Sequence, residues 1–138
     1  MTPRGVRNNN PFNIRRTADR WLGLAALQVD PAFCTFDDPA YGIRAGVIIL
    51  GKYYDRYGLN TVHALLNRFA PPTENDTGAY AYSVAKRLKV TMWQPIDLHD
   101  AATLRALANA IIAHECAGYE YAPGVVDRGL ALANLTKK

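Results

Sequence analysis

The chain has 138 residues, of which 49% are hydrophobic, 20% charged and 10% aromatic; this matches one folded domain over residues 1–138 and excludes a disordered or low-complexity chain. Its formal charge of +4 favours encounter with anionic polymers, but the basic residues are scattered from Arg4 to Lys138 without a long run, so no nucleic-acid partner is expected. No stretch reaches the roughly 18 apolar residues of a membrane span, and MTPRGVRNNNPFNIRR has no apolar targeting core, which implies a soluble product made in the cytoplasm with no membrane insertion.

In chain order, the first 36 residues combine turn formers (Asn8, Asn9, Asn10, Pro11) with the short apolar stretches FNIRR, WLGLAAL and FCTF, a pattern of short strands or extended loops. Asp38-Pro39 reads as an N-cap and first helical residue, opening a long apolar helix over Ala40 to Tyr57 that Gly58 ends. Asn60 is placed to cap a short helix through TVHALLNRFA, stopped by Pro71-Pro72. A further helix runs from about Asp76 to Leu88, Asp100 caps AATLRALANAIIAHE, and Pro123 opens a last helix to about Leu132. Five helices after a small β region make an α+β domain dominated by helix.

The helix from Ala101 to Cys116 carries the most information. Leu104, Leu107, Ala108, Ile111 and Ile112 recur at three- and four-residue spacing, and the same face reaches Glu115. A carboxyl on an apolar stripe at the negative end of a helix dipole is disfavoured as an anion. A proton held there suits a general acid for glycoside cleavage, which must protonate the leaving oxygen. A Glu tied to backbone groups or to an arginine at the helix end accounts for the same pattern. Glu74, in PPTENDT, is a possible secondary acid but suits a first-turn cap better, and Glu120, in GYEY, is a third acid that suits a solvated loop.

Other chemistries are less well supported. Cys34 and Cys116 form no CxxC pair and read as free thiols; Cys116 lies at a helix C-terminus, where thiolates are not activated, and suits core packing. His63, His99 and His114 have no metal-ligand spacing, so neither a metal nor another cofactor is implied. Tyr80 and Tyr82 flank Ala81, and Tyr119 and Tyr121 flank Glu120; such rings either stack on sugars or pack.

The segments RGVRNNNPFNIRR, WLGL, FCTFDDPAYGIRAG, RYGLNTVHALLNRFAPPTENDTGAYAYSVAKRL and AIIAHECAG resemble a family of phage and prophage lysozyme-like peptidoglycan hydrolases, over about residues 5 to 120. The order NNPFNIR, F-x-x-F, a helix ending in RYG and a tyrosine-bearing helix is similar to the later half of flagellar-type glucosaminidases and soluble lytic transglycosylases. Those enzymes carry their catalytic Glu first; here AIIAHECAGY comes near the end, so the match requires a circularly permuted lysozyme-like fold. The resemblance implies Glu115 as catalytic acid, Tyr80 as a cleft tyrosine from TENDTGAYAYSV, and Asn10, Asn13 and Ile14 in the β region beside the cleft. The chain departs from the pattern in having Cys116-Ala117-Gly118 where Ser-Gly is usual, and in a spacing longer by two in TENDTGAY.

The implied activity is cleavage of the MurNAc-GlcNAc β-1,4 bond of bacterial peptidoglycan by a monomeric lytic transglycosylase or muramidase. It would act after release from the host cytoplasm or as part of a phage particle. The alternatives are a non-enzymatic wall-binding component of a phage particle, and a small nucleic-acid binder whose affinity would fall steeply with salt.

Overall fold

The computed structural model describes residues 2–73 and 75–135. It is mainly helical, with α1 (Arg4–Arg7), α2 (Pro39–Tyr57), α3 (Val62–Phe69), α4 (Thr77–Leu88), α5 (Ala101–Glu115) and α6 (Pro123–Ala133). No helix among the described residues is long and apolar enough to cross a membrane.

Local chemistry sets the helix ends. Asp38 accepts from the Ala40 N–H with Pro39 in the first turn, and Gly58 closes α2 at a φ of 66°, which a Cβ would disfavour. Asp76 and Asp100 cap α4 and α5 through the Ala79 and Thr103 N–H groups. The cap of α3 is Thr61, which accepts from Ala64, and not the expected Asn60; the Asn60 carbonyl instead accepts from Ile96, which commits that residue to the following loop.

Helices α2 to α6 pack in a closed cycle: α2 on α3, α3 on α4, α4 on α5, α5 on α6, and α6 back on α2. Inside lie Ile43, Val47 and Leu50 of α2, Leu65 and Leu66 of α3, Val84 of α4, and Leu104, Leu107, Ile111 and Ile112 of α5, all at 1% exposure or less. Each such side chain removes enough apolar surface to contribute about 1.5–3 kcal/mol. The four consecutive residues Ala110 to Ala113 are all buried, so α5 is enclosed on more than one face. It shares the central place in the core with α2.

The N-terminal part differs from expectation. Among the described residues it forms no strand, only α1 and two isolated antiparallel bridges, Arg15 with Phe33 and Leu24 with Phe36. Side chains take the place of a ladder. Asn10 Nδ2 donates to the carbonyls of Ile14 and Cys34, both at 2.9 Å, while its Oδ1 accepts from the Ile14 N–H. Asn9 donates to the Phe36 carbonyl, and Asp30 accepts from the N–H groups of Ala32 and Phe33, from Asn8 and from Arg4. Those side-chain bonds that reach the main chain satisfy backbone groups that a sheet would otherwise pair.

Candidate active site

Glu115 is the last residue of α5 and is half-buried. The helix ends there because Cys116 leaves the helical conformation and Ala117 and Gly118 turn left-handed, at φ of 52° and 86°, with the Gly118 N–H returning to the Ala113 carbonyl. Cys116 points into the core, its Sγ 3.5 Å from the Pro11 carbonyl. Burial first, then the neighbouring Glu115 charge, pushes its thiol up to about 11, so it has little thiolate to offer as a nucleophile.

Two uncharged donors hold the Glu115 carboxylate. Asn13 Nδ2 donates to Oε1 at 2.8 Å and also lies 3.4 Å from the Glu115 carbonyl, while the Tyr80 hydroxyl donates to Oε2 at 2.7 Å. No lysine, arginine or histidine among the described residues ion-pairs with it. Asn13 adopts a φ of 51°, a left-handed conformation that asparagine tolerates better than most residues. Phe12, buried edge-on against Phe69, fixes the loop on one side. Gly5 of α1 fixes it on the other: a Cβ there would lie 2.9 Å from Cys116 Sγ and 3.0 Å from Asn13 Oδ1, so only glycine lets α1 approach so closely.

Tyr80 is only 1% exposed and its ring stacks on His114 at 3.7 Å. Burial, followed by the Glu115 charge and the hydrogen bond to it, drives its hydroxyl well above the usual tyrosine range, so it stays a donor. Expected as a cleft tyrosine, it acts from behind the carboxylate and offers no ring face to a ligand.

Glu115 opens onto a cleft of about 670 Å³, within the size range of small-molecule sites. The walls include Trp21, Tyr53 and Phe69, with Arg15, Asp19, Lys52 and Arg68 supplying charge. The other expected residues fall as follows. Asn10 is wholly buried and its amide is consumed by backbone bonds, so it cannot meet a substrate. Tyr82, Tyr119 and Glu120 are exposed and lie outside the cleft, Tyr119 packing edge-on against Tyr121. Glu74 lies outside the described residues, although its neighbour Asn75 lines the cleft.

Asp19, Lys52 and Arg68 escaped sequence reasoning. Lys52 left one trace: it is the single cation within VIILGKYY, one turn after Ile48 and Ile49, which line the same cleft. Among the described residues, no three His, Cys, Asp or Glu side chains converge as a metal ion would need.

No family model matches the chain. Over 129 residues it is 36% identical to "Protein P5" of Pseudoalteromonas phage PM2, an alignment that covers 91% of this chain and 79% of that one.

Proposed function

The chain belongs to the family of protein P5 of Pseudoalteromonas phage PM2, and from that phage context and the Glu115 cluster we propose that it cleaves the glycan strand of bacterial peptidoglycan. The observation that carries this reading is a carboxyl at a cleft edge, held by Asn13 and Tyr80 and, among the described residues, by no cation. Glu115 gives its proton to the oxygen of the MurNAc-GlcNAc β-1,4 bond as an oxocarbenium-like charge develops on the sugar. The carboxylate formed in that step remains held by the Asn13 and Tyr80 hydrogen bonds. Glu115 then returns as base toward the substrate's own 6-hydroxyl, giving an anhydro end, as in a lytic transglycosylase. The reading carries with it a lysozyme-like arrangement in permuted order, with the Glu-bearing helix late in the chain. Superposition on lytic transglycosylases irrespective of chain order tests that part.

A second reading has its own support. Asn13 also reaches the Glu115 carbonyl, so the contact ties the N-terminal loop to the end of α5 and serves equally in a wall-binding component of a phage particle. One experiment separates the two. Purified peptidoglycan is treated with wild type and with Glu115→Gln, and the soluble fragments are read by mass spectrometry. Fragments from wild type and none from the variant are expected. A variant that still cuts overturns the assignment, and an inert wild type that still sediments with peptidoglycan favours the binding component.

A further inference from the structure

Among the described residues, three cations line the Glu115 cleft; Arg15 lies over the Phe33 ring at 5.1 Å, and the other two, Lys52 and Arg68, have no role in the proposed proton transfer. Lys52 lies on the α2 face that lines the cleft with Ile48, Ile49 and Tyr53, and Arg68 enters from the last turn of α3. The Arg68 guanidinium stands 4.2 Å from the centre of the Tyr57 ring and 5.2 Å from that of Tyr53, so stacking on α2 places it in advance of any ligand. Neither cation ion-pairs with a carboxylate among the described residues. Apart from Glu115, the carboxylate lining the cleft among those residues is Asp19, which already accepts from the Thr17 hydroxyl. Two cations without an ion pair among the described residues, set in a concave wall, focus a positive potential where the substrate must lie. A neutral sugar has no use for that field, whereas a carboxylate does.

Resting on the glycan-cleaving reading, we propose that Lys52 and Arg68 form a subsite for carboxylates appended to the glycan, and that the enzyme therefore selects anionic muramic-acid-containing strands over neutral N-acetylglucosamine polymers. The shared chemistry is a carboxylate on the muramic acid substituent. Its source is either the stem peptide or the lactyl group itself, which becomes a free carboxylate once the stem is removed.

Three substrates separate these cases: stem-bearing peptidoglycan, the same glycan after amidase treatment, and chitin oligosaccharides. Fragment release is measured for wild type, Lys52→Gln/Arg68→Gln and the charge-keeping Lys52→Arg, together with sedimentation on peptidoglycan in the Glu115→Gln background. The double variant is expected to raise KM on the anionic glycans about 5- to 30-fold at low salt with kcat within about twofold, and the loss should shrink as salt screens the wild type. Lys52→Arg should stay close to wild type. Both cations are exposed, so thermal melts should coincide to within about 2 °C. A wild-type preference for stem-bearing over stripped glycan assigns the stem carboxylates, and the reverse preference assigns the lactyl group, whose carboxylate is free only in the stripped glycan. An unchanged KM in the double variant, or wild-type cleavage of chitin as fast as peptidoglycan, overturns the subsite while leaving cleavage intact. Absence of cutting on all three substrates instead removes the cleavage reading, and undiminished sedimentation of the double variant then overturns the subsite as well.

Discussion

Asn13 and Glu115 are separated by 102 positions in the chain, yet the Asn13 side-chain amide donates to the Glu115 carboxylate at 2.8 Å and approaches the carbonyl of the same residue. The N-terminal loop thereby orients the side chain that the C-terminal half of the chain supplies.

Substitution at Asn13 separates orientation from backbone conformation. Asn13→Ala removes the donor and places a Cβ residue at a left-handed φ without asparagine's tolerance of it, whereas Asn13→Gly removes the donor alone. Asn13→Ala is expected to lose about 1–3 kcal/mol of stability and Asn13→Gly less. Both should lower kcat by a similar factor, at least about tenfold, because the carboxylate loses the same bond. Denaturant unfolding and fragment-release rates measure the two effects independently, and equal activity of Asn13→Gly and wild type would falsify the orienting role.

Tyr80→Phe keeps the ring stacked on His114 and deletes the hydroxyl that reaches Glu115 Oε2. A stability loss of about 0.5–1.5 kcal/mol is expected, the usual net worth of one hydrogen bond. Cleavage should fall about tenfold, since a bond that strengthens with charge on Glu115 is lost at the proton-transfer step. A variant as active as wild type would show that Oε2 needs no donor.

Replacement of Asp19 distinguishes the two forms of the second step. Under the anhydro-forming route, Asp19→Asn retains activity within about threefold, and the products end in anhydro sugars. Loss of more than about 100-fold, with reducing ends in the wild-type products, would assign Asp19 as the partner of Glu115 in a two-carboxylate lysozyme.

Acid stability should depend on Asp30. The N–H groups of Ala32 and Phe33, followed by Asn8 and Arg4, outweigh its burial and hold its carboxyl at about 2. A depressed native value means the unfolded chain binds the proton first. The stabilisation is therefore fully present above the ordinary aspartate value of about 4 and disappears as pH falls through about 2. Thermal melts over that interval should decline less steeply for Asp30→Asn than for wild type, from a lower starting stability; parallel curves contradict the linkage.

Cys116 sets the opposite limb. Its native value of about 11 lies above the ordinary thiol value of 9.0, so the unfolded chain releases the proton first, and stability falls as pH rises between those values. Cys34 is also buried and its thiol is raised by burial. Both thiols should resist a disulfide exchange reagent at pH 8 until the protein is denatured, when two equivalents react. Prompt reaction in the native state would contradict their burial.

Much of the helical plan was legible locally. Asp38-Pro39, Gly58, Asp76, Asp100 and Pro123 are punctuation whose action is confined to one helical turn, and each marks the boundary expected of it. The N-terminal region keeps the extended loops expected of it but not the β region, because its polar side chains bond to backbone groups across that region. Asn10 looks like a turn residue but holds Ile14 and Cys34, and no spacing rule announces a contact over 24 residues.

Glu115 shows the same division. The three- and four-residue spacing of Leu104, Ala108 and Ile111 determined that this carboxyl would emerge from a buried helical stripe, because helical period alone fixes which side chains share a face. Only the tertiary structure decided that Asn13 and Tyr80 hold it, that Tyr80 lies behind it, and that Lys52 and Arg68 share its cleft. Those meetings depend on how the helical cycle closes and where the N-terminal loop crosses it, which is a property of packing between distant segments.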